Sequence, residues 1–91
     1  MEFEWDAAKN RRNIAKHGID FEDAIEIFAG PVAERPDDRQ GVGEQRWIAY
    51  GLVQLIVIAV VYVDRGERRR IISARRATKD EAQHYDHTVF G

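Results

Sequence analysis

The stretch from Leu55 to Val63 is apolar or aromatic at every position. It is far shorter than the roughly 20 residues that a membrane-spanning helix needs. A run of this length with no polar alternation is expected to be a strand buried on both faces, so it belongs in the middle of a sheet. Its neighbours alternate instead. From Gln45 to Tyr50, Trp47 and Ala49 fall on one face and Arg46, Ile48 and Tyr50 on the other, after which Gly51 and its neighbours are expected to turn the chain. Asp64-Arg65-Gly66-Glu67 has the composition of a second hairpin turn. Arg68 to Arg76 is then a third strand, in which alternation groups Ile71 and Ser73 with Arg69 and Arg75, and Ile72 and Ala74 with Arg70 and Arg76.

A sheet with a doubly apolar central strand needs covering layers, and the ends of the chain carry helical signals. Asp6 as N-cap and Gly18 as the residue after the last turn bound a helix from Ala7 to His17, with Lys16 and His17 at its negative dipole end. Asp20 caps a second helix, with Ile19 and Ala24 as a hydrophobic staple. Phe21, Ala24, Ile25 and Phe28 form its expected inner stripe, and Gly30-Pro31 ends it. Residues 32–44 are rich in turn formers, Gly41 and Gly43 among them, with a short edge strand near Val32 to Arg35. Thr78 and Glu81 are spaced as a capping box that opens a last helix running to about His87. The expected architecture is α+β: two N-terminal helices, a three- to four-stranded antiparallel sheet, and a C-terminal helix, all in one domain over residues 1–91.

Composition narrows the chemistry. The absence of cysteine removes disulfides, zinc-thiolate sites and thiol nucleophiles, and fits a reducing cytoplasm. The acidic start Met1 to Asp6 lacks the pattern of a secretory signal, so a cytoplasmic location is expected. The net charge of -2 hides a strong segregation: acids prevail between Asp20 and Glu44, whereas Arg65, Arg68, Arg69, Arg70, Arg75, Arg76 and Lys79 face only Glu67. A local positive surface is expected. His84 and His87 are spaced like a metal pair but have no third ligand at a telling distance, so no metal or other cofactor is expected.

Several motifs together resemble the BrnT family of toxins. At the start these are Phe3-Glu4-Trp5-Asp6, Lys9, Asn13, Lys16-His17-Gly18, Phe21, Ala24 and Phe28; in the middle, Asp38, Glu44, Arg46-Trp47 and Gly51. The most specific is the run Arg70 to Thr78, followed by Glu81 and Tyr85. The chain departs from the family pattern where Asp80 precedes Glu81 and Ala82 and Gln83 follow it in place of arginines, which weakens the cationic character of the last helix. The resemblance implies a RelE-like fold and metal-independent ribonuclease activity. It also implies a BrnA-type ribbon-helix-helix antitoxin as partner, in a hetero-oligomer that contacts operator DNA through the antitoxin. A catalytically weak binding module of the same fold, which pairs with the antitoxin in operon autorepression, is the second reading. A plain interaction scaffold is the third.

For a nuclease, the residue types suggest the following roles. Metal-free RNA cleavage drives the 2′-hydroxyl onto phosphorus while charge grows on the phosphoryl oxygens, a charge that the planar, permanently cationic arginine fork suits. Arg75 and Arg76 are the leading catalytic candidates. Neighbouring strand residues point oppositely, so one is expected in the cleft and the other in an ion pair with Glu44 or Asp38. Glu81 and Tyr85 share a helix face four residues apart. Glu81 is either a general base or the capping carboxylate, and Tyr85 either a base-stacking or proton-donating group or core. His17 is either a proton-transfer group or, with Lys16, a cation at a helix C-terminus. Arg46, Arg70 and Lys16 are candidate RNA-binding cations.

Overall fold

A computed structural model describes residues 1–38 and 43–91; the turn expected around Gly41 lies outside them. The elements are β1 (Glu2–Glu4), α1 (Ala7–His17), α2 (Phe21–Ala24), a 3-10 turn (Ile25–Ala29), β2 (Ala33–Asp37), β3 (Arg46–Val53), β4 (Ile56–Arg65), β5 (Arg68–Arg76) and α3 (Lys79–Phe90). Five strands lie in the order β1-β5-β4-β3-β2, with β1 parallel to β5 and every other pair antiparallel. This corrects the expectation of two N-terminal helices and a purely antiparallel sheet of three or four strands. The overlooked strand, β1, has three residues, too few for an alternation signal, and its pairing is set by Arg68 to Arg70 more than sixty positions away. The apolar run is central, between β5 and β3. No helix among the described residues is long and apolar enough to cross a membrane.

One face of the sheet, here the helical face, packs against α1, α2 and the 3-10 turn, around Phe21, Ala24, Ile27, Ala49, Val60, Tyr62, Ile71 and Ala74. The expected stripe of Phe21, Ala24, Ile25 and Phe28 is altered because the helix tightens at Ile25. The three-residue period of a 3-10 turn brings Ile27 inward beneath Phe21 and Ala24 and leaves Ile25 and Phe28 partly covered. Gly51 is the reason this turn can sit so close. It lies inside β3 rather than at a turn, and a Cβ there would stand 2.6 Å from the Ile27 Cβ. The reversal falls instead on Gln54 and Leu55, whose φ angles of 49° and 71° are those a two-residue primed hairpin requires.

Two further features position side chains for function. β1 covers the outer edge of β5 only at Arg68 to Arg70, and beyond it Asn13 of α1 acts as a surrogate strand. Its amide oxygen accepts from the Ala74 N–H at 3.1 Å, and its amide nitrogen donates to the Ala74 and Ile19 carbonyls at 2.8 and 2.9 Å. The second feature is a bulge in β5: Val61 pairs with Ser73 but Tyr62 pairs with Ile71, leaving Ile72 as the extra residue. Strict alternation therefore fails across Ile72. Arg69, Ile71, Ala74 and Arg76 turn to the helical face, and Arg70 and Arg75 share the opposite one.

Candidate functional site

On the face opposite the helices, α3 covers only one end of the sheet. Tyr85 is buried there against Ala33, Ile48, Tyr50, Ala59 and Val61, and its hydroxyl donates to the Pro31 carbonyl at 2.9 Å. The other end is open and cationic. Val63 of the central strand is paired with Arg70, and the β3–β4 register that pairs Trp47 with Tyr62 brings Arg46 to the other flank of Val63. Arg46 and Arg70 thus flank an apolar floor of Val63 and Ile72, and Lys9, Glu44 and Arg65 complete a basin of about 380 Å³. Among the described residues, Glu44 is the only carboxylate in its wall. It receives a bidentate contact from Arg65, with the closest approach at 2.7 Å, and this hydrogen bonding holds its carboxyl below the usual range. Arg70 donates to Glu4 at 3.0 Å from the rim. Arg46 and Lys9 make no ion pair among the described residues.

Under the N-terminus of α3, a polar network joins four side chains. The row Tyr50–Ala59–Arg75 crosses three strands, and the small Ala59 between two long residues leaves room for Glu81 above it. Arg75 donates to both Glu81 oxygens at 2.7 and 3.0 Å, the Tyr50 hydroxyl donates to Glu81 at 2.9 Å, and Arg35 donates to the Tyr50 oxygen at 3.1 Å. Glu81 also closes the capping box on the Thr78 N–H at 2.8 Å. The Arg75 hydrogen bonds, aided by Thr78 and Tyr50, outweigh partial burial and bring the Glu81 carboxyl down to about 2. A general base working near neutrality needs the opposite shift. Glu81 is thus a fixed anion that orients Arg75.

That depression makes the network pH-sensitive in a defined direction. With the folded value near 2 and the ordinary one at 4.5, the stabilisation is complete above about pH 4.5 and disappears as pH falls through 2. Urea midpoints of the native chain and Glu81→Gln should differ by a constant amount above pH 5, and the gap should narrow progressively below it. A gap that stays constant down to pH 2 would show that Glu81 carries no such linkage.

The remaining candidates lie elsewhere. Arg75 and Arg76 diverge, and neither pairs with Glu44 or Asp38: Arg75 is bound to Glu81, and Arg76 joins His17 in a cavity on the helical face. Lys16 is exposed on α1. Arg69 seals the end of the helical-face core, its guanidinium 4.1 Å from the Tyr62 ring centre and paired with Asp64 at 2.7 Å. Tyr62 donates to Glu34, and its burial raises the phenol pKa. Among the described residues, no three metal-ligating side chains converge. Sequence reasoning missed Lys9, Glu44 and Arg65 as basin residues, and Arg35 and Tyr50 as network members. Lys9 and Glu44 carried a signal, since both are among the positions of the family resemblance.

Two arginine forks and a lysine stand around an open concavity with Glu44 in its wall. Residues 5–81 match the family described as "Ribonuclease toxin, BrnT, of type II toxin-antitoxin system". The chain belongs to this family. No curated protein matches it.

Proposed function

We propose that the chain is a metal-independent endoribonuclease that acts in the cytoplasm as the toxin of its pair, with the basin of Arg46, Arg65, Arg70, Lys9 and Glu44 as its active site. One observation carries this reading. Lys9, the neighbours Glu44 and Arg46, and Arg70 come from three distant segments of the chain, each is among the residues that carry the family resemblance, and all four line one concavity. A phosphodiester held by the Arg46 and Arg70 forks across the Val63 floor exchanges water for fixed charges. These are worth most where charge develops on the phosphoryl oxygens. Glu44, held ionised by Arg65, keeps that guanidinium at the basin wall, and the proton of the 2′-hydroxyl passes to water. The 2′-oxygen bonds to phosphorus, the bond to the 5′-oxygen breaks, and that oxygen takes a proton from water. The products are a 2′,3′-cyclic phosphate and a 5′-hydroxyl. Arg75, held by Glu81, and Arg35, beside Tyr50, extend the cationic path along the same face.

A BrnA-type ribbon-helix-helix antitoxin that covers this face would silence the basin by blocking access, and would link the complex to operator DNA. The deciding experiment is end analysis of RNA incubated with purified, antitoxin-free protein in excess chelator. Cyclic phosphate ends are expected. Cleavage only after magnesium is restored would overturn the metal-free route, and a folded protein with no cleavage would favour the binding-module reading.

A further inference from the structure

On the helical face, beyond the C-terminal end of β5, lies a second cavity, of about 290 Å³, that the basin chemistry does not use. Val53, Ile56 and Ile58 give it an apolar floor, and His17, Asp23 and Arg76 stand around it. Its arginine differs from the others on the same strand. Arg68, Arg69, Arg70 and Arg75 are all ion-paired, whereas Arg76 alone of the β5 arginines has no acidic partner among the described residues. Asp23 lines the same cavity, yet the two have not closed on one another. An apolar slot with a carboxylate and a guanidinium held apart fits a flat ligand with a pair of donors on one edge and an anion attached elsewhere.

We infer that this cavity is a subsite for a guanine nucleotide. Guanine is the base whose pairing edge offers two adjacent donors, N1–H and the N2 amine, which match the two oxygens of a carboxylate such as Asp23. The ring lies on the Val53, Ile56 and Ile58 side chains beside the His17 imidazole, and the phosphate meets the Arg76 fork. Adenine presents an acceptor at N1 in place of a donor and faces Asp23 with repulsion. Because Arg75 and Arg76 leave the end of β5 on opposite faces, a strand whose base enters the cavity sets that nucleotide's phosphate at Arg76 and carries its neighbours over the end of β5 toward Arg75. The identification of the occupant as a base of substrate RNA rests on the ribonuclease reading. Its binding does not require cleavage.

The test is an NMR titration of the intact chain with GMP, AMP and inorganic phosphate. GMP should move the amide signals of Gly18, Asp23, Val53 and Arg76 saturably, with an affinity about tenfold or more above that of AMP, the discrimination a bidentate edge contact gives. In Asp23→Asn the two nucleotides should bind alike. Equal affinities in the native chain, shifts confined to Arg46, Val63 and Arg70, or an unchanged preference in Asp23→Asn would each overturn the assignment. The titration reads out even if the protein cleaves nothing, so its failure and failure of the nuclease proposal are separate results.

Discussion

Arg46→Ala should lower RNA cleavage by about 10²- to 10³-fold, the usual cost of removing one preorganised donor from a developing oxyanion, while leaving the thermal midpoint nearly unchanged. The asymmetry follows from what Arg46 does not touch. It forms no ion pair among the described residues, so its removal strands no buried acid, whereas loss of Arg70 leaves Glu4 without its 3.0 Å contact. Arg46→Lys keeps the charge but loses the bidentate fork, so it should recover only part of the rate. Arg75→Ala should behave in the reverse way. Its charge is already balanced by Glu81, so cleavage falls less, but Glu81 then sits beneath α3 with only Tyr50 and the cap to hold it. Cleavage assays on the three purified variants, with circular dichroism melts alongside, check the pattern. Full activity in Arg46→Ala would remove the basin from consideration.

The parts of this fold legible in the sequence are those fixed by neighbours in the chain. Asp6 and Gly18 bound α1 as a cap and a left-handed terminus, Thr78 and Glu81 form the capping box of α3, and the apolar run takes the central strand. What is not legible depends on contacts between distant segments. Gly51 looks like a turn residue, and only the approach of Ile27 explains why it sits within a strand. The bulge at Ile72 has the larger consequence, because nothing in the run Arg70 to Arg76 announces an extra residue, yet it sets the facing of every arginine on the strand. Without it Arg70 and Arg75 would stand on opposite faces, and the network under α3 would not adjoin the basin. Glu44 illustrates the same limit: sequence offers it Arg75 or Arg76, but the hairpin brings it to Arg65.

Asn13→Ala should be the most destabilising single change at a polar residue. It removes three hydrogen bonds at once, two of them to the buried N–H and C=O of Ala74 at a stretch of sheet edge that β1 does not reach. Each buried backbone group left without a partner costs about 1–3 kcal/mol, so a loss of about 3 kcal/mol or more is expected. For a domain of this size that corresponds to a melting point lower by about 12 °C or more. The effect is directional, because the amide is used as donor and acceptor together. Asn13→Asp keeps the shape and the acceptor, but it sets a carboxylate against the Ala74 and Ile19 carbonyls and should be no more stable than the alanine variant. Thermal melts of both, with hydrogen exchange at the Ala74 amide, provide the check. An aspartate variant as stable as the native chain would mean that the donor half of the contact contributes nothing. The site is coupled to function through the same strand. Asn13 anchors β5 midway between Arg70 and Arg76, so fraying there should loosen both the basin and the cavity at His17. Partial loss of cleavage in Asn13→Ala, restored on cooling, is the expected sign of that coupling.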